Sequence, residues 1–299
     1  MDNRGKWVIV ANPVSGKGRS LDLSDRTGRL LTSANVPNEV LYTTRAGEAE
    51  DLARRAVDEG AVGALACGGD GTLHEVINGI MSHPQGPDVT VGVIPAGRCN
   101  DFAAAMGLPK DPNGVAELIV EGNFRRIDLG LVGGRYFATV ATLGFDSAVS
   151  QYVADGHVPR FLSGTPSYVY AILLQLLRYK DASVRLEGED FEYSGRIFLA
   201  ATANTAQYGG NMKIAPGATP DDGALDVCLV KSVSRWEVVM MVPRVFSGGH
   251  LANPAVSMHR VKRLKIDADT PMPVWADGER VAETPTEIVV VPGALNFLA

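Results

Sequence analysis

The chain has 299 residues, 45% of them hydrophobic and 21% charged, with a formal net charge of −6. It is long enough for two domains with sizeable cores, and its composition is that of a globular protein. The acidic balance excludes nucleic acid as a main partner, because that needs a basic surface, and leaves any contact with anionic lipid local or transient.

Met1-Asp2-Asn3-Arg4 lead into the first apolar run with no signal segment between, so a cytoplasmic protein is expected. Three widely spaced cysteines without a CxxC pair agree with a reducing compartment and argue against a zinc site. Strands are predicted over 7–12, 39–43, 62–67 and 90–94, and helices near 20–34, 48–59, 73–81, 100–106 and 115–121. Such alternation implies a mostly parallel sheet with helices on both faces.

After about Asp128 the pattern changes. Short strands are predicted over 135–142, 183–188, 196–203, 225–230, 261–267, 273–276 and 287–291, separated by Gly, Pro and Asp turns. That is an antiparallel sandwich signature. One helix, predicted over 166–179, interrupts it and is apolar nearly all round. It either packs in a core or borders a greasy pocket, and periodicity does not separate the two. Its apolar stretch is far too short to span a membrane.

Three predicted strands run into glycine-rich loops. The most telling is Gly68-Gly69-Asp70-Gly71-Thr72, after the apolar run at 61–67 and before a helix. Glycines let backbone N–H groups approach an anion, and a helix N-terminus adds partial positive charge. Asp70 would repel phosphate, so it fits a Mg²⁺ shell, an oriented hydroxyl, or a helix cap. Asn12-Pro13-Val14-Ser15-Gly16-Lys17-Gly18 is the second loop, and Pro95-Ala96-Gly97-Arg98-Cys99-Asn100-Asp101 the third. The second is not a Walker A sequence, since Ala11 and Gly18 stand where glycine and Ser/Thr belong. In an open parallel sheet all three emerge at the carboxyl edge, where ligands bind. Glu75 lies three residues after Thr72, the spacing of a capping box. His74 is expected at the surface or in a supporting role rather than as a metal ligand.

Late in the chain, Trp275-Ala276-Asp277-Gly278-Glu279 places two carboxylates around one glycine. This reads as an Asp-Gly hairpin turn or as a turn that aims both carboxylates into a cleft. Thr219-Pro220-Asp221-Asp222-Gly223-Ala224 reads as a solvated acidic turn or as a loop for a hard cation.

Taken together, these motifs resemble the diacylglycerol kinase catalytic family, specifically the soluble bacterial lipid kinases related to diacylglycerol, sphingosine and ceramide kinases. The resemblance spans nearly the whole chain. It implies an N-terminal three-layer α/β nucleotide-binding domain over 1–130 and a C-terminal antiparallel β-sandwich domain over 131–291. The chain end, about 292–299, is expected to return to the first domain. ATP and Mg²⁺ are the implied cofactors. The resemblance places Asn12, Ser15, Gly16, Lys17, Thr43, Gly68, Gly69, Gly71, Thr72, Glu75, Gly97, Arg98 and Asn100 at the nucleotide. It gives Asp70, Asp277 and Glu279 catalytic positions, without saying whether Asp277 or Glu279 is the base. A structural Mg²⁺ would take Thr219, Asp222 and Ala224. The implied partners are a lipid with a free hydroxyl and a transient membrane contact at the inner face, and a homodimer is left open. One departure stands out: Arg98-Cys99 replace a threonine and a small residue of the family pattern. Arg98 can bond phosphate or block the nucleotide. NAD kinase shares the Gly-Gly-Asp-Gly-Thr loop but should also carry a Gly-Ser-Thr-Ala segment, which this chain lacks. A non-catalytic lipid or nucleotide sensor on the same fold is the other alternative.

Overall fold

The computed structural model describes residues 5–159 and 165–299. Four parallel strands, β1 (Trp7–Ala11), β2 (Asn38–Tyr42), β3 (Gly63–Gly68) and β4 (Thr90–Pro95), lie in the order β2-β1-β3-β4. Five helices cover them: α1 (Arg19–Ser33), α2 (Glu48–Asp58), α3 (Asp70–Met81), α4 (Asp101–Ala105) and α5 (Pro112–Glu121). Alternate residues of β1 serve the two faces. Val8 and Val10 pack with Leu52, Val76 and Ile80 of α2 and α3, while Ile9 packs with Leu31 and Ile119 of α1 and α5. Burial on both faces is why these strands are apolar throughout.

The second half is an antiparallel, sandwich-like array. Its elements are β5 (Phe124–Val132), β6 (Arg135–Phe137), β7 (Val140–Gly144), α6 (Phe145–Ala154), α7 (Thr165–Arg178), β8 (Ala182–Glu187), β9 (Glu192–Ala203) and β10 (Leu225–Lys231). These are followed by α8 (Arg235–Val245), β11 (Val256–Val261), β12 (Arg263–Ala268), β13 (Pro273–Ala276), β14 (Glu279–Glu283) and β15 (Thr286–Leu298). Leu186, Ile197, Val227, Ile266, Val274 and Ile288 form its core. Strand β15 pairs with β12 near its start, and near its end Asn296 and Phe297 run parallel to Thr90 and Val91 of β4.

Several elements differ from the prediction, each for a local reason. The run at 135–142 is two strands, because the Ala138 and Thr139 N–H groups donate to the Asp277 carboxylate. The run at 261–267 is β12, which begins only at Arg263, after Lys262 turns its N–H to Glu189. Helices α6 and α8 and strands β5, β11 and β14 were not predicted. Helix α7 is not a buried helix: Ala171 is buried, but Val169, Leu173 and Leu177 are exposed.

Candidate active site

Helix α3 starts at Asp70, not at 73, so the glycine loop is the helix's first turn. The first N–H groups of a helix have no partner within it. Gly69 precedes the helix in extended conformation, and no side chain caps it. The glycines are needed for packing. A Cβ on Gly97 would sit 2.3 Å from the Gly69 Cα, and one on Gly16 would sit 2.1 Å from the Ala96 carbonyl oxygen. The three loops therefore touch one another at one sheet edge. A Cβ on Gly71, by contrast, would meet nothing within 4 Å, so this side of the helix start is open to a ligand.

The first loop turns at Ser15–Gly18, where Gly16 and Lys17 both take a left-handed φ of 59°. Asn12 steers the chain into it by accepting the Val14 N–H at 3.2 Å. Lys17 is exposed. Thr43 ends β2, its N–H bonded to the Ala11 carbonyl at 2.9 Å, which brings it to the same edge. In the third loop Asn100 (φ 53°) spends its amide on the backbone. Its Oδ1 accepts the Gly97 N–H at 2.9 Å, and its Nδ2 donates to the Gly97 carbonyl at 3.0 Å. Arg98 and Cys99 are exposed and face the cavity described below.

Glu75 does not form a capping box with Thr72. Its carboxylate accepts the Gly47 and Ala49 N–H groups at 3.1 and 3.0 Å, so it caps α2, the neighbouring helix. Asn78 ties α3 to β6, exchanging two 2.9 Å bonds with the Tyr136 backbone.

Asp277 (φ 50°) and Gly278 (φ 90°) form the hairpin turn between β13 and β14. The turn drives the Asp277 side chain inward, where it is 3% exposed. The carboxylate accepts the Ala138 N–H at 2.8 Å, the Thr139 N–H at 2.9 Å and the Val140 N–H at 3.3 Å, and also the Thr139 hydroxyl. His74 Nδ1 lies 3.4 Å away. Burial alone would raise this carboxyl's pKa. The bond and charge of His74 and the Thr139 and Ala138 donors outweigh it and hold the pKa below the ordinary value. His74 is therefore a buried partner of Asp277, not a surface residue. Glu279, two residues on, is exposed and has no side-chain hydrogen bond among the described residues. Its charge is felt by Arg135 and by Tyr168.

A cavity of about 460 Å³ joins the glycine loop at 68–72 and the third loop to the Asp277 turn; the Ser15–Gly18 turn, Thr43 and Glu279 are not among its lining residues. Asp70, Gly71, Arg98 and Asp277 border it, and so do Val149, Tyr168 and Ile172 of α6 and α7. Burial raises the Asp70 pKa, and the nearby Asp101 charge adds to this. Asp101 itself is held by the Gly210 and Asn211 N–H groups. Asp146, which sequence reasoning missed, lines the same cavity. Burial raises its pKa, against hydrogen bonds from the Thr142 and Tyr208 hydroxyls. No spacing motif marks it; only the cavity does.

The 219–224 loop is held in place by Asp128, also missed, which accepts the Gly223 N–H at 2.6 Å and the Gly293 N–H at 2.7 Å. Thr219, Asp222 and Ala224 do come together here. Asp222 Oδ2 takes the Thr219 hydroxyl at 2.9 Å and the Arg260 guanidinium at 2.7 Å, and its Oδ1 takes the Ala224 N–H at 3.2 Å. These donors hold the Asp222 carboxylate in place, and a hydrogen-bonded carboxylate can still ligate a metal; the Thr219 and Ala224 carbonyls would complete the expected Mg²⁺ set. Among the described residues no group of three or more His, Cys, Asp or Glu could hold a metal by itself.

Comparisons with known proteins match this architecture in both halves. The diacylglycerol kinase catalytic domain matches residues 6–132, and the YegS C-terminal NAD kinase beta sandwich-like domain matches 139–299. A diacylglycerol kinase of Mycobacterium tuberculosis is 33% identical over 302 residues, covering 98% of this chain and 95% of the relative. A diacylglycerol kinase of Staphylococcus carnosus is 30% identical over 286 residues, covering 96% and 92%. A solved chain from Bacillus anthracis str. Sterne shares the fold, with a TM-score of 0.83 at 23% identity over 99% of this chain and 95% of that one. The chain belongs to the diacylglycerol kinase family and is a kinase-type enzyme.

Proposed function

We propose that this protein transfers the γ-phosphate of ATP to the free hydroxyl of diacylglycerol or a related lipid. The observation that carries this reading is the single cavity with two characters. One end is the open helix start at Asp70 and Gly71; the other is the apolar wall of Val149, Tyr168 and Ile172. A polyphosphate suits the first and acyl chains suit the second.

Phosphoryl transfer needs positioning and charge neutralisation above all. The Gly71 and Thr72 N–H groups at the start of α3 bind phosphate oxygens, and Lys17 and Arg98 add positive charge at the same edge. Asn100 and Glu75 hold the loops rather than the nucleotide. A nucleotide-bound Mg²⁺ needs only one or two protein carboxylates. Asp70 fits that role, because its carboxylate is met only by backbone N–H groups, those of Phe102 (3.3 Å) and Asp101, among the described residues and is crowded by like charge. When bound, the ion supplies charge neutralisation for the phosphates.

Glu279 is the base that takes the acceptor proton. A base needs a free oxygen, which Glu279 has and the saturated Asp277 lacks. Asp277 positions the turn that carries Glu279. ADP release should therefore require a hydroxyl lipid together with Mg²⁺. ADP release that is indifferent to lipid would overturn the reading.

A further inference from the structure

We infer that Asp146 reads a second free hydroxyl on the acceptor, beside the one that is phosphorylated, with the indole N–H of Trp275 as the matching donor. This rests on the lipid-kinase reading, and narrows its acceptor from any lipid with a hydroxyl to a lipid with two, such as a monoacylglycerol.

Backbone geometry presents Asp146 to the cavity. Gly144 ends β7 at φ 105°, a conformation that favours glycine, and the chain turns there into α6. Asp146 falls in the first turn of that helix. Val149 and Ser150, three and four residues on, share its face, and all three line the cavity. Phe145 is used elsewhere, stacked on Phe198 with ring centroids 4.6 Å apart.

Asp146 differs from the neighbouring carboxylates in what it still lacks. Asp277 takes three backbone N–H groups and the Thr139 hydroxyl. Asp101 takes the Gly210 and Asn211 N–H groups. Asp146 is met by two hydroxyls, those of Thr142 and Tyr208, and by no backbone N–H or cation among the described residues. A carboxylate has about four acceptor sites, so about half of its capacity is left for a ligand. Tyr208 feels the charges of both Asp146 and Asp101, which sets this carboxyl between the apolar wall and the third loop.

Trp275 brings the complementary group. It stands opposite Thr142 in the β13–β7 pairing, so the two side chains share one face of the sheet, and both line the cavity. Its Nε1 is buried with no hydrogen-bond partner among the described residues. A buried donor left unpaired is costly, and a ligand oxygen that pairs it removes that cost. A donor is therefore wanted at Asp146 and an acceptor at Trp275. A hydroxyl is both. An ammonium would serve Asp146 but has no lone pair for Trp275.

Kinetics with three soluble single-chain alcohols test it: 1-O-octylglycerol, its 2-deoxy analogue 3-octyloxypropan-1-ol, and its 2-amino analogue. All carry the same chain and the same primary hydroxyl. Wild type should favour octylglycerol over the deoxy compound at least about tenfold in kcat/KM, because the deoxy compound leaves both buried groups unpaired. Asp146→Ala should abolish that preference. Asp146→Leu, which fills the space instead, makes the same test if the alanine variant does not fold. Equal use of the two alcohols by wild type, for which no variant is needed, would overturn the assignment. So would a preference retained in a folded apolar variant, or a preference for the amino analogue. If no alcohol is phosphorylated, the lipid-kinase reading fails by itself, and calorimetric titration of the full chain then decides the assignment. Octylglycerol should bind at least about tenfold more tightly than the deoxy compound. Equal affinity, or none for either, would overturn it.

Discussion

His74 Nδ1 and Asp277 Oδ2 stand 3.4 Å apart, both nearly solvent-free, although 203 residues separate them in the chain. This contact joins the glycine-loop helix α3 to the β13–β14 turn, and so fixes two walls of the cavity against each other.

It follows that Asp277 and Glu279 should fail differently. Asp277→Asn exchanges one acceptor oxygen for an amide donor among three backbone N–H groups and a hydroxyl. Loss of a buried, paired carboxylate of this kind costs about 3–5 kcal/mol. Thermal unfolding should show a clear drop in Tm. Glu279→Gln should keep the wild-type Tm, because its side chain holds nothing in place, but lower kcat about 10²–10⁴-fold. Wild-type kcat in Glu279→Gln would remove it as the base.

The same contact predicts an acid limit. The folded pKa of Asp277 is below its unfolded value, so its stabilising effect is full above the unfolded value of about 3.9. It is lost as pH falls from there through the lower folded value. Wild-type stability should therefore fall more steeply below about pH 4 than that of Asp277→Asn. Parallel curves for the two proteins would show that Asp277 is not held ionised.

Asp70 predicts the opposite sign. Its folded pKa is raised, so its ionised form opposes folding, and stability is lost as pH rises through that value. Asp70→Asn should be more stable at neutral pH by about 1 kcal/mol, the usual return when a strained site is relieved. It should also lose about 10²-fold or more in kcat, because charge neutralisation at the phosphates is lost. Denaturant unfolding beside steady-state rates would measure both. A less stable variant with full activity would make Asp70 a structural cap.

Arg98 is the departure from the family pattern, exposed at the cavity, and on the function proposed above it would contact phosphate rather than plug the site. Arg98→Thr should weaken ATP binding by up to about tenfold, the equivalent of ~1.4 kcal/mol, since an exposed charge is screened. Calorimetric titration reads this directly. Tighter binding by the variant would mean that Arg98 blocks the nucleotide.

The glycine loop was legible because its parts are adjacent: three glycines, one aspartate and a helix start within five residues. The Asp277-Gly278 turn was legible for the same reason, as a hairpin whose aspartate borders the cavity. The capping box at Ser234 and Glu237 was also there to be seen, and it would have located α8. What could not be read depends on distant pairing. Glu75 has the spacing to cap its own helix but caps α2, since the fold brings Gly47 and Ala49 to it. Asp222 also gains a partner that no local spacing announces, Arg260, which β11 brings to it. Asp146 carries no local signature, and its meaning comes from a cavity built by six separate segments.

If one cavity joins phosphate to a lipid hydroxyl, the fate of the transferred group will show it. The protein would be incubated with ATP radiolabelled at the γ-phosphate, Mg²⁺, NAD and a total lipid extract, and the products separated by phase. The account predicts label in a chloroform-soluble phosphomonoester, absent with Glu279→Gln. Label on NAD, with none in the lipid phase, would contradict it.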